Sequence, residues 1–324
     1  MQATTKIVIL DGFTANPGDV AWDAIAEQGD LAVHDRSTAD EARERVAGAT
    51  AVLTNKVAID DSLLAANESI RYVGVLATGV NVVDLDACRK RGVTVTNIPG
   101  YSTESTAQHA FALLLELTNR VGQHARDVAE RWPASADFSY TVGPLTELAG
   151  LTCGVIGFGA IGQAFCRRAR AFGMKVVAHT ANPHKHHDAA ALAGIELVGR
   201  DELLRQSDVV SLHCPLTHDT RHLVNADTLA KMKRGTFLVN ASRGPLLDAA
   251  AVAAALAEGR LAGVAVDVLD REPPPADDPL LRADNCIVTP HIAWATRAAR
   301  SRSIAIAADN LRAFLRGEPQ NVVS

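Results

Sequence analysis

The chain has 324 residues, 48% hydrophobic and 21% charged, enough apolar material for two cored domains. A net charge of −5 and a pI of about 6.1 supply no field for nucleic acid, and no basic amphipathic stretch or bilayer-length apolar run points to a membrane partner. The five cysteines, Cys88, Cys153, Cys166, Cys214 and Cys286, are odd in number and lack CxxC spacing, which predicts reduced thiols and no zinc site.

The N-terminal MQATTKIVILDGF passes directly into a strand-like run, without the basic start and apolar core of a signal peptide, so a cytoplasmic location is expected. Short apolar runs at 6–10, 31–34, 51–54, 72–76 and 93–97 read as buried parallel strands, and 39–47 and 84–91 as helices between them. Pro99-Gly100 interrupts this alternation. A strong helix follows, with Ser102 and Ser105 as candidate N-caps, Ser105-x-x-Gln108 matching a capping box, and 110–115 dense enough to be buried. Residues 132–145, with Pro133 and Pro144, read as an extended arm or loop.

The segment 151–162, LTCGVIGFGAIG, is a strand entering Gly157-x-Gly159-x-x-Gly162, with a helical stretch at 163–171 behind it and a second strand at 175–180. In that setting the glycines predict a dinucleotide fold: one for the tight turn, one for close approach of a pyrophosphate, one for packing of helix on strand. Further strands are expected at 195–198, 209–213, 236–240, 263–268 and 286–289, with helices at 201–206, 226–232 and 247–258 and a long amphipathic one at 296–315. The fold class is therefore α/β, with two doubly wound parallel-sheet domains: a discontinuous substrate-binding domain of flavodoxin type, 1–100 with 295–324, and a Rossmann domain, 101–294. A ligand cleft is expected between them.

Three strand-end segments carry ionisable groups: Asn240-Ala-Ser-Arg243-Gly244-Pro, Asp267-Val-Leu-Asp270-Arg-Glu272-Pro, and Thr289-Pro-His291-Ile-Ala-Trp294. Arginine can hold a carboxylate in a bidentate fork, histidine can give a proton near neutral pH, and a neighbouring acid raises a histidine's affinity for that proton. Singly, Arg243 also suits a surface ion pair, Glu272 a solvated loop and His291 a core position; jointly, behind a glycine fingerprint, they compose a hydride-transfer site acting on a 2-keto acid.

Together GFGAIG at 157–162, NASRGPLLD at 240–248, DVLDREP at 267–273 and TPHIAWAT at 289–296 resemble the D-isomer-specific 2-hydroxyacid dehydrogenases over essentially the whole chain. The stretches 75–109 and 291–300 are similar to the glycerate dehydrogenase, or hydroxypyruvate reductase, branch. The resemblance implies that Arg243 binds substrate and that Glu272 pairs with His291 as acid/base. It implies that backbone N–H groups of Thr78, Gly79 and Val80 hold the substrate carboxylate, with Tyr101 and Ser102 near the pocket. Cofactor contacts are implied for Thr106, the turn Gly157, Phe158, Gly159, Ala160, Ile161 and Gly162, then Thr180, Asn182, Cys214, Pro215, Thr220, Ala241, Ser242, Asp267 and His291. The arm at Trp132 is similar to the family's dimer-forming extension, which implies a homodimer.

Two positions depart from the pattern. Val80 stands where the branch often has an aromatic residue. At the end of the second Rossmann strand, Thr180 stands where NAD-preferring members usually place an acid, and no Asp or Glu occurs from Gln163 through His187. Without an acid to repel a 2′-phosphate, NADP(H) is expected to serve, with NAD(H) also accepted. His184, Lys185 and His186 could supply positive charge there, in what reads as a flexible loop. The reading is an oxidoreductase reducing hydroxypyruvate or glyoxylate to D-glycerate or glycolate. Phosphoglycerate- or lactate-type enzymes of the same chemistry, and a dinucleotide-sensing corepressor-like protein, are its rivals.

Overall fold

The computed structural model describes residues 4–324, so the first three residues of the start read above lie outside it. The chain divides into two compact units, 1–102 with 294–324 and 103–293. The first begins β1 (Lys6–Ile9), α1 (Gly12–Ala15), α2 (Asp23–Ala26), β2 (Asp30–Val33), α3 (Ala39–Arg45), β3 (Ala51–Thr54), α4 (Asp61–Ala66), β4 (Tyr72–Val75), α5 (Leu85–Lys90) and β5 (Thr94–Thr96). The strands form one parallel sheet in the order β2-β1-β3-β4-β5. All residues of β3 and β4 are buried, as expected of apolar runs covered by helices on both faces. Thr38, Asp60 and Asp84 cap α3, α4 and α5 through their side chains, which sets where each helix begins.

The second unit contains α6 (Thr103–Asn119), α7 (Val121–Arg131), β6 (Thr152–Ile156), α8 (Ala160–Ala171), β7 (Lys175–His179), α9 (Pro183–Ala193), β8 (Glu196–Leu197), α10 (Arg200–Gln206), β9 (Val209–Leu212), α11 (Ala226–Lys231), β10 (Thr236–Asn240), α12 (Ala249–Ala257), β11 (Leu261–Val266), α13 (Pro279–Arg282) and β12 (Cys286–Val288). Its seven strands are parallel, in the order β12-β11-β10-β9-β6-β7-β8. One face is packed by α6 and α8 through Phe111, Leu114, Phe165 and Ala169, the other by Leu203, Leu204, Leu229 and Val252. The order reverses at β6, so the loops after β6 and β9 flank the switch point where open α/β sheets take ligands. The chain then returns to the first unit as α14 (Arg297–Leu315), whose Ile304, Ala308 and Leu311 join the core of β1, β3 and β4, with Phe314 4.9 Å from the Tyr72 ring. Among the described residues no helix is long and apolar enough to cross a membrane.

Two local expectations are corrected and one further helix is found. Ser105 is not an N-cap: α6 already starts at Thr103, and the Ser105 hydroxyl donates to the Ala293 carbonyl, 2.6 Å away, so a distant loop claims the group that would have served the cap. The histidine-rich segment is not a loop, because Pro183 opens α9 and sets a helical φ at its first position. Residues 121–131, given no element above, form α7, separated from α6 by Arg120 in the left-handed region at φ 51°; none of its residues is buried.

Candidate active site

The glycine turn fits a dinucleotide. Gly157 lies at φ +102°, and a Cβ there would sit 2.4 Å from the Cys214 nitrogen and the His213 carbonyl carbon, so the loops after β6 and β9 touch backbone to backbone. A Cβ on Gly162 would meet the Gly157 oxygen at 2.0 Å, the close packing of α8 on the turn. Gly159 differs: its Cβ would meet nothing within 4 Å, and α8 starts there without a side-chain cap. An open cradle at the N-terminus of a twelve-residue helix is what a pyrophosphate needs. Ala160 faces out, Ile161 is half-buried and Phe158 is buried beneath the turn.

Farther along the same edge, Thr180 follows β7 and its hydroxyl accepts the Asn182 N–H at 3.3 Å. His184, Lys185 and His187 are exposed in the first turns of α9, and the His186 ring stands edge-on to Phe158, 6.0 Å away. Cys214 is buried and Pro215 exposed after β9; the Thr220 hydroxyl donates to the Pro215 carbonyl and folds that loop.

Arg243 is placed by its neighbours. Asn240, the buried last residue of β10, donates to the Arg243 carbonyl at 2.9 Å and accepts from the Ser242 N–H at 3.0 Å. The Ser242 hydroxyl donates to the Cys214 carbonyl, and Ala241 is buried between them in sequence. A Cβ on Gly244 would lie 2.0 Å from the Leu269 carbonyl, so the loop bearing Arg243 presses on the loop after β11. The guanidinium itself is exposed and donates to the Ser242 carbonyl.

Glu272 and His291, after adjacent strands β11 and β12, meet directly: His291 Nδ1 stands 2.6 Å from Glu272 Oε2. The other carboxylate oxygen accepts the Leu269 N–H at 3.0 Å, which orients the acid. His291 lies at φ 54°, a left-handed conformation that costs a non-glycine residue roughly 1–2 kcal/mol. Asp267 holds it there. Its buried carboxylate accepts from the Thr289 hydroxyl at 2.6 Å, the Ile292 N–H at 2.9 Å and the Ala293 N–H at 2.8 Å, while its carbonyl accepts the His291 N–H. Burial pushes the Asp267 carboxyl up, but the hydrogen bonds from His109, Thr289, Ala293 and Ile292 outweigh it and hold the group below its ordinary 3.8.

Thr106 is buried on α6. In the first unit, the Thr78 hydroxyl donates to the Ile98 carbonyl and Asn97 donates to the Thr78 carbonyl, fixing the loop with Gly79 and Val80. Tyr101 is buried, its carbonyl accepting from Arg302 Nε, and Ser102 is half-buried before α6. His109, whose Nε2 lies 3.0 Å from the Thr289 hydroxyl, was not expected from sequence; its partner is 180 residues downstream and no local pattern marks it.

The profile of the D-isomer specific 2-hydroxyacid dehydrogenase NAD binding domain matches residues 111–293. The chain is 44% identical to the hydroxypyruvate reductase of Blautia hydrogenotrophica, over 98% of its own length and 99% of the relative's. It is 39% identical to the glycerate dehydrogenase of Methylorubrum extorquens, over 88% and 89%. Among solved structures, the TT0316 protein from Thermus thermophilus matches with a TM-score of 0.87 at 37% identity, covering 99% of this chain and 100% of that one. With a dinucleotide turn and a bonded glutamate–histidine pair on one sheet edge, and with this likeness along nearly its full length, the chain belongs to the D-isomer specific 2-hydroxyacid dehydrogenases and is an NAD(P)-dependent oxidoreductase.

Proposed function

We propose that the protein reduces a small 2-keto acid, hydroxypyruvate or glyoxylate, to D-glycerate or glycolate, using NADPH in preference to NADH. The observation that carries this reading is the 2.6 Å contact between Glu272 and His291 on the sheet edge that also bears the glycine turn. A reduced nicotinamide dinucleotide held at the glycine turn would supply the hydride for the carbonyl carbon. His291 gives the proton to the carbonyl oxygen as its π bond breaks, and Glu272 on Nδ1 stabilises the imidazolium and fixes the ring. Arg243 binds the acid and polarises its carbonyl, with a fork that suits a carboxylate. In the first unit, the backbone of Thr78, Gly79 and Val80 is assigned to the substrate carboxylate, and Tyr101 and Ser102 to the substrate.

The remaining assignments serve the dinucleotide: the turn from Gly157 to Gly162, with Thr106, Cys214, Pro215, Thr220, Ala241, Ser242 and Asp267. The preference for NADPH rests on Thr180 and Asn182, which offer hydrogen bonds and no negative charge, and on the absence of an acidic side chain in the first turn of α9, whose N-cap Asn182 makes no side-chain capping bond. A homodimer is assigned to the arm after α7, where Trp132 and Phe138 are 52% and 91% exposed. A cytoplasmic location is assigned because all five thiols are unpaired.

The test is a panel of short 2-keto acids assayed with both reduced cofactors. Turnover of hydroxypyruvate or glyoxylate, faster with NADPH at limiting cofactor, is expected. Strong NADH preference would overturn the cofactor assignment, and no turnover with any short keto acid would point to a dinucleotide-binding sensor instead.

A further inference from the structure

The loop from Thr289 to Ala293 carries His291 at its middle, in a backbone conformation it does not adopt unaided. Helix α6 grips that loop at both ends. Ser105 and His109 lie one turn apart on the same face of the helix. The buried Ser105 hydroxyl donates to the Ala293 carbonyl at 2.6 Å, two residues after His291. His109 Nε2 stands 3.0 Å from the Thr289 hydroxyl, two residues before it, and 3.3 Å from Asp267 Oδ1. The Thr289 hydroxyl gives its own hydrogen to Asp267 at 2.6 Å, so toward His109 it is an acceptor and His109 carries its hydrogen on Nε2. A donor chain thus runs from His109 through Thr289 to the aspartate that pins the loop.

We propose that Ser105 and His109 are positioning residues: by clamping both ends of the 289–293 loop, they hold His291 in line for proton donation. This rests on His291 being the acid, as proposed above. The helix that carries the clamp also carries Thr106, assigned to the cofactor, so one rigid element registers both the cofactor and the proton donor.

A double-mutant cycle tests this. His109→Phe, His109→Gln and Ser105→Ala are measured alone and combined with His291→Ala, recording kcat, KM, the dissociation constant of reduced cofactor and melting temperature. Misplacing a reacting group by about an ångström costs on the order of 100-fold. His109→Phe is therefore expected to lower kcat between about 10- and 100-fold, and Ser105→Ala about threefold to tenfold, with cofactor affinity changing by less than about threefold. His109→Gln, whose amide N–H can replace Nε2–H, recovers most of the loss. In the His291→Ala background neither change lowers the residual rate further, because a clamp has nothing left to place.

A purely structural fastening would instead give the same fold-loss in both backgrounds, or a lower melting temperature with wild-type kcat; either overturns the proposal. Should His109→Phe fail to fold, Ser105→Ala, which removes one hydroxyl, decides alone. A His291→Ala enzyme with wild-type turnover would overturn the proton-donor assignment and the clamp with it. That result is told apart from failure of the clamp alone, in which His291→Ala is inactive and the clamp variants are not impaired.

Discussion

Asp11 in the first unit and Asp267 in the second are the same device put to different ends. Each is buried just past the end of a strand, and each fastens the loop that follows the neighbouring strand. Asp11, after β1, accepts N–H bonds from Asn55, Lys56 and Val57, after β3. Asp267, after β11, accepts from Thr289, Ile292 and Ala293, after β12. The loop held by Asp11 carries no bonded acid–histidine pair. The loop held by Asp267 carries His291, left-handed and bonded to Glu272. Both units of this chain thus fasten a loop with a buried aspartate at a strand end, and chemistry enters through what the fastened loop presents.

The sharpest way to separate fold from chemistry is to remove the presented group and leave its support. His291→Ala is expected to lower kcat by a factor of about 10² to 10⁴, the range for loss of a general acid. Its melting temperature should hardly change, because the side chain is partly exposed and Asp267 still pins the loop backbone. Steady-state kinetics beside a thermal melt reads both. A large loss of stability would mean that the histidine is structural.

Removing the supports inverts the pattern. Asp11→Ala strips a buried acceptor from three backbone donors and Asp267→Ala from four donors, so each is expected to cost roughly 2–4 kcal/mol, or on the order of 10 °C in melting temperature. Only Asp267→Ala should also depress kcat in the molecules that remain folded. Equal loss of turnover in the two variants, corrected for folded fraction, would break the comparison.

The two regions also differ in how much of them the sequence discloses. Strands such as β3 and β4 are apolar runs buried on both faces, so composition alone marks them. The glycine turn is legible because each glycine answers a local need: a positive φ, an open cradle, a contact at 2.0 Å. What stays hidden is whatever depends on partners far along the chain. Ser105 has the local look of a cap, yet its partner is Ala293, and nothing near His109 announces Thr289. Helix α7 has an amphipathic pattern, with Val121, Ala125 and Val128 at helical spacing, yet it buries none of its residues. The histidines after β7 disguise α9, whose local signals are Pro183 at its first position and the left-handed Gly194 at its C-cap.

Two glycines of the second unit sharpen the distinction at smaller scale. Gly244→Ala sets a methyl 2.0 Å from the Leu269 carbonyl, so the Arg243 loop must move; stability and kcat should both fall, each by a measurable but modest step of about 1–3 kcal/mol. Gly159→Ala meets nothing within 4 Å and should leave the melting temperature unchanged, while weakening cofactor binding because the added methyl enters the space proposed for the pyrophosphate. Titrating reduced cofactor by fluorescence beside a melt tells the two apart.

The smallest expected effect is in acid. The folded-state carboxyl of Asp267 is held below its ordinary 3.8, so its ionised form stabilises the fold at pH values above the unfolded value, and that contribution is lost as pH falls through the lower folded value. In the first unit, Asp60 is also held below 3.8, by the Leu63 N–H and the Ser62 hydroxyl, but it is exposed. Melting temperatures of wild type, Asp267→Asn and Asp60→Asn from about pH 6 to about pH 3 test the pair. The gap between wild type and Asp267→Asn should hold steady down to about pH 5 and then narrow, while Asp60→Asn shows the same trend more weakly, because water screens an exposed group. A gap that widens in acid would mean that burial dominates at Asp267 and that its hydrogen bonds do not hold the charge.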